Sequence, residues 1–291
     1  MPHAILKRKD WFQADGFPIA VERREPQEPF GLHAHEFAEI VIITSGRGVH
    51  VTGTESYPLN TGDVFVIGGS RRHDYHSMER LCLVNVLFQP EKLELRDYDL
   101  RALPGYHALF ILEPAWRRRH RFNSRLRLTP QELTVLLGDV DKLEAELRTR
   151  SDGFKFMATA SFMRIVGFLS RTFARAKNPD SRALLRIGEA ISQLETNFHQ
   201  PLNLDRLART AHMSKRNFTR NFQAAMGNSP IAHLVQLRIN HAAARLRRTE
   251  DSVTEIAFQV GFCDSNYFAR QFRRTMGIAP TQYRQQHRRI N

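Results

Sequence analysis

Cysteine is nearly absent: the 291 residues contain only Cys82 and Cys263, too few for a disulfide framework. Each lies in an apolar stretch, so both are expected as buried thiols, and a reducing compartment fits. No apolar run approaches the ~20 residues that a membrane-spanning helix needs, and the opening MPHAILKRKDWFQ lacks the apolar core of an export leader. A soluble cytoplasmic protein with no membrane partner is the expectation. Acidic residues are scarce at one end. From Pro179 onward there are about 17 Lys or Arg against about 8 Asp or Glu, which accounts for most of a formal charge of +13. Such an excess suits a polyanion such as nucleic acid or an acidic membrane surface, although a solvated Arg-rich surface would give the same total.

The chain is long enough for two domains. Residues 19 to 90 read as short Val-, Ile- and Phe-rich runs (AEIVIIT, GRGVHVTG, YPLNTGDVFVIGG, LCLVNVLF) broken by turn residues, the pattern of an all-β sandwich or barrel. From Thr129 the period changes. Leu133, Leu136, Leu137, Val140, Leu143 and Leu147 fall on one helical stripe, with Thr129 as N-cap and Pro130 at the first helical position. A second, more evenly apolar helix follows in FKFMATASFMRIVGFLSRTFARA. These helices either close off the barrel or pair with a second copy of the chain. The polar stretch RAKNPDSR, with its Asn-Pro, reads as a linker. The expected organisation is α+β and multidomain: a β-barrel sensor at 1–125, a helical dimerisation segment at 126–176, a linker at 177–183, and an all-α domain at 184–291.

The all-α part contains an internal repeat. RLARTAHMSKRNFTRNFQAAMGNSP aligns with EIAFQVGFCDSNYFARQFRRTMGIAP, pairing Phe218 with Phe268, Phe222 with Phe272, Met226-Gly227 with Met276-Gly277, and Pro230 with Pro280. The offset is 49 before the turn and 50 after it. Each copy has an apolar helix, a short turn, and a second helix with Phe at i and i+4, which makes two helix-turn-helix units. The phenylalanines share one face and should enter a core. The opposite face then exposes Arg216, Asn217, Thr219, Arg220 and Asn221 in one copy, and Ser265, Asn266, Ala269, Arg270 and Arg273 in the other. Arg suits guanine, Asn suits adenine, and Ala or Thr methyls suit the thymine methyl. Ser214, and Asp264 or Ser265, stand where an N-cap is wanted, at a helix end that also welcomes a phosphate. A single such face would be read as merely solvated; two in register favour double-stranded DNA.

With these motifs, residues 184–288 resemble the DNA-binding domain of AraC/XylS-type transcription regulators, most closely in IAFQVGF.DSNYFARQFRRTMGIAPTQYR. By matching position the resemblance implies base or phosphate contacts from Arg216, Thr219 and Arg220, and from Ser265, Asn266 and Arg270. Ser214, Asn217 and Arg273 complete the DNA-binding candidates read from the helix faces.

The β region has a pattern of its own: His33-x-His35-x3-Glu39-x6-Gly46, then His73 eleven residues after Gly62. It resembles the two cupin motifs, with Gly68, Ser70 and Ser77 departing from the second. His33, His35, Glu39 and His73 are therefore candidates for a divalent metal (Zn, Fe, Ni or Mn), for direct effector contacts, or for a purely structural role. Alternation puts His33, His35, Phe37 and Glu39 on one face and adds Asn85 as an effector candidate. The region from HAHEFAEIVIITSG through LVNVLFQPEKL also resembles the sensor domain of regulators of L-rhamnose operons, and so implies L-rhamnose as effector. The whole chain thus reads as a non-enzymatic transcription activator with no required cofactor and no catalytic residue, acting as a homodimer on promoter DNA and RNA polymerase. A repressor, a sensor of another metabolite, and a metal-dependent cupin enzyme with an appended DNA-binding domain remain open.

Overall fold

The alternating runs of residues 19–88 form antiparallel strands. The computed structural model describes residues 4–53, 55–68, 71–93, 99–117 and 123–288, in two compact units that part between Gly188 and Glu189. In the first unit the strands are β1 (Ala4–Leu6), β2 (Ile19–Arg24), β3 (His33–His35), β4 (Ala38–Thr52), β5 (Glu55–Asn60), β6 (Asp63–Ile67), β7 (Asp74–Phe88) and β8 (Leu126–Arg127). The main sheet runs β2-β7-β4-β6-β8 with β5 also on β4, while β1 pairs in parallel with β3. Glu39 lies opposite Leu87, Val41 opposite Asn85 and Ile43 opposite Leu83. Directly paired residues share a face, so Glu39 and Asn85 look the same way as Val41, Ile43 and Leu83. That face is the interior, where Val41, Ile43, Tyr57, Leu59, Phe65, Ile67, Tyr75, Leu81 and Leu83 pack together.

The two longest strands bend to enclose this core. Between Ile43 and Val49 the β4–β7 register shifts repeatedly, and such bulges kink and twist a strand. Gly46, the last residue of the first histidine motif, lies in this stretch at φ 73°. A Cβ there would run into the Arg80 carbonyl oxygen, so only glycine fits. Ser77, where the resemblance would place an asparagine, has φ 47°, a left-handed backbone that asparagine tolerates well. Ser70 lies outside the described residues.

Helices cover the sheet. Besides α1 (Arg8–Trp11), the structure has α2 (Pro104–Tyr106), which runs through a π-helical stretch (His107–Leu112) into α3 (Glu113–Trp116). The alternation pattern did not anticipate this element. Arg117, just past it, is fully buried: it pairs with Glu113 at 2.7 Å, donates to Val66 O at 2.6 Å, and lies over the Phe65 ring at 5.1 Å. Next come α4 (Pro130–Thr149) and α5 (Phe154–Ala174). Thr129 and Glu132 form a reciprocal capping box at the start of α4, as its sequence leads one to expect. Leu133, Leu136, Val140 and Leu143 are buried, Leu137 and Leu147 half-buried, and α4 packs on α5 and β2. The barrel and the helical segment thus form one compact unit, and much of the leucine stripe is used within the chain.

The second unit is built from helices. They are α6 (Pro179–Thr196), whose first turns belong to the first unit, α7 (Leu204–Thr210), α8 (Lys215–Met226), α9 (Pro230–Arg248), α10 (Val253–Gln259), α11 (Ser265–Met276) and α12 (Pro280–Arg288). Residues 177–183, read as a linker, are mostly helix. Asn178 accepts from Ser181 N at 2.7 Å, Pro179 opens α6, and Ser181 Oγ donates to Ser124 O at 3.3 Å. Asn-Pro signals a turn, and it also signals a cap followed by the first helical residue; the helix wins here because its start is packed. The break between α5 and α6 is 175–178.

Phe218, Phe222, Phe268 and Phe272 are all fully buried. Phe268 and Phe272 pack with Ile256, Ala257, Val260, Phe262 and the α9 residues Ile239, Ala242, Ala243 and Leu246. Both cysteines depart from expectation. Cys82 is half-buried, its thiol weakly donating to Arg80 O at 3.6 Å, and Cys263 is exposed. Cys263 is the extra residue of the second repeat, so it has no core position to fill.

Two substitutions test these cores by denaturant unfolding. Phe268→Ala should cost about 3–5 kcal/mol in the C-terminal unit. Arg117→Leu should cost about 3–5 kcal/mol in the N-terminal unit, because it leaves the Glu113 carboxylate buried without its partner.

Candidate functional site: a nucleic-acid interface and a barrel pocket

The two helix-turn-helix turns have the same geometry despite different residues. His212 at φ 55° and Gly261 at φ 98° occupy equivalent positions. Met213 N donates to Ala208 O and Phe262 N to Ala257 O, both at 2.9 Å. The second copy needs glycine, since a Cβ at 261 would stand 2.5 Å from His199 O. Cys263 is then inserted, and the caps come back into register. Ser214 accepts from Asn217 N at 3.3 Å, while Asp264, rather than Ser265, accepts from Tyr267 N at 2.6 Å. Both helices end on a left-handed glycine, Gly227 and Gly277.

With the phenylalanines buried, Ser214, Arg216 and Arg220 are exposed on α8, and Asn266, Arg270 and Arg273 on α11; Asn217, Thr219 and Ser265 are half-buried. Asn221 belongs to the interior instead. It is buried and its amide donates to Asn217 Oδ1 at 3.3 Å, because it is adjacent to Phe222 and rotates with it out of solvent. Arg220 donates to the same Asn217 oxygen at 2.9 Å. On α11, Arg270 lies 5.9 Å above the ring of exposed Tyr267. Tyr267 was missed in the sequence reading, although the repeat alignment places it opposite Asn217. The exposed Lys215, paired with Asp205 at 3.1 Å, was also missed.

In the barrel, His35, Glu39 and His73 come together, with one donor atom from each lying within 4.8 Å of the others, and all three are buried. Glu39 Oε1 is 3.5 Å from His35 Nε2 and 3.3 Å from His73 Nε2. Burial alone would raise the Glu39 carboxyl, but the two imidazoles outweigh it and hold the group well below the usual carboxylate range. His35 is lowered by burial and raised more strongly by Glu39, for a net rise. His33 is pushed down by burial and by His73. It stands outside the trio, its Nδ1 hydrogen-bonded to Gly31 O at 2.9 Å and its ring 4.2 Å from that of His73. The pocket above the trio has a volume of about 40 Å³ and is walled by Leu6, Trp11, Arg24, Gln27, Phe30 and Tyr75, among others. Asn85 lines it as expected. Tyr75 was legible by alternation from His73; Trp11 and Phe30 come from segments that carry no local signal, and Arg24 ends β2.

Among the described residues, no helix is long and apolar enough to cross a membrane. Residues 18–151 match the AraC-like ligand binding domain and residues 207–286 a helix-turn-helix domain. The HTH-type transcriptional activator RhaR of Mannheimia succiniciproducens is 30% identical over 279 residues, 96% of each chain. The protein of the same name from Klebsiella pneumoniae is 31% identical over 291 residues, 99% of each. Among solved structures, the DNA-binding domain of AdpA, the global transcriptional factor, in complex with a target DNA, is 29% identical, covering 36% of this chain and 96% of that one (TM-score 0.35). The chain belongs to the AraC/XylS family, as a DNA-binding transcription regulator with a ligand-binding N-terminal domain.

Proposed function

We propose that the chain is a transcription activator working in the cytoplasm, switched by a sugar-type effector in the barrel, with L-rhamnose as the effector that the sequence resemblance favours. The observation that carries the DNA-reading half is the pair of in-register helices whose buried phenylalanines turn Arg216, Arg220, Arg270 and Arg273 outward. Ser214, Asn217, Thr219, Ser265 and Asn266 join them as base or phosphate contacts. Helix α9, with 19 residues, is about 28 Å long at ~1.5 Å per residue. Both helix-turn-helix units pack on it, which suits two successive major grooves about 34 Å apart. A homodimer would use the outer surface of α4 and α5, where Val135, Phe156 and Met157 are exposed, and would present the paired sites to RNA polymerase. DNA reading by these side chains calls for no cofactor and no catalytic step.

In the barrel, His33, His35, Glu39, His73 and Asn85 are the effector contacts. Asn85 Oδ1, the Tyr75 hydroxyl, His35 Nε2 and Glu39 Oε1 are buried without a hydrogen-bond partner, which costs about 1–3 kcal/mol per group until a ligand pairs them. A pocket of about 40 Å³ is small beside the ~300 Å³ of ordinary ligand sites, so a sugar must part the Leu6, Trp11 and Phe30 walls.

Arg270→Ala should weaken binding to the cognate promoter by about 1–3 kcal/mol and relax preference at one base position, measured by fluorescence anisotropy; unchanged affinity and preference would remove Arg270 from the contacts. Calorimetric titration with L-rhamnose should give heat that is lost in Asn85→Ala. Heat from another sugar alone would replace rhamnose as the effector, and no heat from any sugar would withdraw the sugar reading.

A further inference from the structure

Arg220 on α8 and Arg270 on α11 hold equivalent positions in the repeat, and both are exposed. An exposed arginine samples many rotamers, so fixing it on binding costs conformational freedom. Each of these two is already held, and each by the residue three places before it: Asn217 in one copy, Tyr267 in the other. Residues three apart on a helix are surface neighbours, so the position suits the task.

The chemistry of the two holds differs. In α8, Asn217 Oδ1 accepts from Arg220 Nη2 at 2.9 Å and from Asn221 Nδ2 at 3.3 Å. Asn221 is buried and also donates to Met213 Sδ at 3.4 Å. In α11 a ring takes the place of the amide. The Arg270 guanidinium lies 5.9 Å from the centre of the Tyr267 ring, within the range at which an aromatic face attracts a cation. That ring stands 5.9 Å from the ring of Phe262, which is buried. Met213 and Phe262 occupy the same place in their turns, since their backbone N–H groups donate to Ala208 O and Ala257 O. Both relays therefore run from the same turn residue to the same arginine, by hydrogen bonds in the first copy and by ring contacts in the second. This agreement between unlike side chains separates the arrangement from an incidental surface pair.

We propose that Tyr267, and Asn221 acting through Asn217, are positioning residues that set the two arginines for DNA before the duplex arrives. Neither Tyr267 nor Asn221 needs to touch the duplex. Asn217 keeps its amide N–H groups for a contact of its own, and each guanidinium retains donors for a base edge. The inference rests on the reading of Arg220 and Arg270 as DNA contacts given above and deepens it, because base preference then depends on side chains that do not reach the bases.

The test is fluorescence anisotropy of the full-length protein on a duplex selected from a random pool by the unmodified chain, repeated with each base pair changed in turn. Tyr267→Leu should bind about 2–12-fold more weakly, the range expected for freezing one mobile side chain on binding. It should also lose preference at the base position that Arg270→Ala relaxes. Tyr267→Phe keeps the ring and should restore both. In the Arg270→Ala background, Tyr267→Leu should cost nothing more, since the pair acts as one unit. Asn221→Leu, which removes the amide at similar volume, should act in the same way on the base position of Arg220, with denaturant unfolding to report that the unit is folded. If that buried substitution does not fold, the exposed Tyr267 decides the case alone. Unchanged binding by Tyr267→Leu overturns the proposal, and so does a loss that adds in full to that of Arg270→Ala. A Tyr267→Phe variant as weak as Tyr267→Leu also overturns it, by putting the hydroxyl on the duplex. Should Arg220→Ala and Arg270→Ala themselves leave affinity and preference unchanged, the contact reading falls and the proposal with it. Should only those two matter, the contacts stand and the positioning falls.

Discussion

Two phenylalanines one helical turn apart decide what each putting-together of the C-terminal unit can present. Because Phe218 and Phe222, and again Phe268 and Phe272, are wholly withdrawn from water, neither α8 nor α11 can rotate about its axis without exposing an aromatic ring. Each buried ring is worth roughly 1.5–3 kcal/mol of transfer free energy, far more than any single arginine gains from facing solvent. Apolar burial therefore sets the orientation of the polar face, and the exposed side chains of α8 and α11 inherit their positions from the core. The loss of Asn221 to the interior follows from the same constraint.

The barrel is organised the other way round, with polar groups inside. Register places Glu39 and Asn85 on the face that also carries Val41, Ile43 and Leu83, so a carboxylate and an amide are committed to the interior by strand alternation. The bulges around Gly46 bend β4 without disturbing the Glu39–Leu87 pairing, and the isolated bridge between His33 and His73 brings the second histidine motif to the first. Backbone carbonyls of Gly31, Phe37 and Arg71 then fix the rings of His33, His35 and His73. The result is a small polar chamber with several hydrogen-bonding atoms held ready and unpaired.

Much of this was legible in the sequence, because periodicity and repetition are strong local signals. The strands of 19–88, the capping of α4 at Thr129 and the doubled helix-turn-helix follow from spacing, while the resemblance to the cupin motifs implied that His33, His35, Glu39 and His73 converge, of which His35, Glu39 and His73 come together. What escaped was non-local or ambiguous. Trp11 and Phe30 reach the pocket from segments with no pattern of their own, and Arg24 from the end of β2. Asn178-Pro179 reads equally well as a turn and as a helix start, and only packing of Ser181 against Ser124 decides between them. The exposure of Cys263 depended on recognising it as the inserted residue, and the helices at 104–116 were hidden among apolar residues that fit either period.

The residues at the two equivalent caps make the repeats chemically unequal. Helix α8 begins on the neutral hydroxyl of Ser214, leaving its positive end free to meet an anion, whereas α11 begins on the carboxylate of Asp264, which already offsets that charge. The positive end of α8 is therefore open, and that of α11 partly neutralised by its own cap. Two helices alike in core and length thus start with different electrostatic character, and the polar face that carries both has ends that cannot be exchanged.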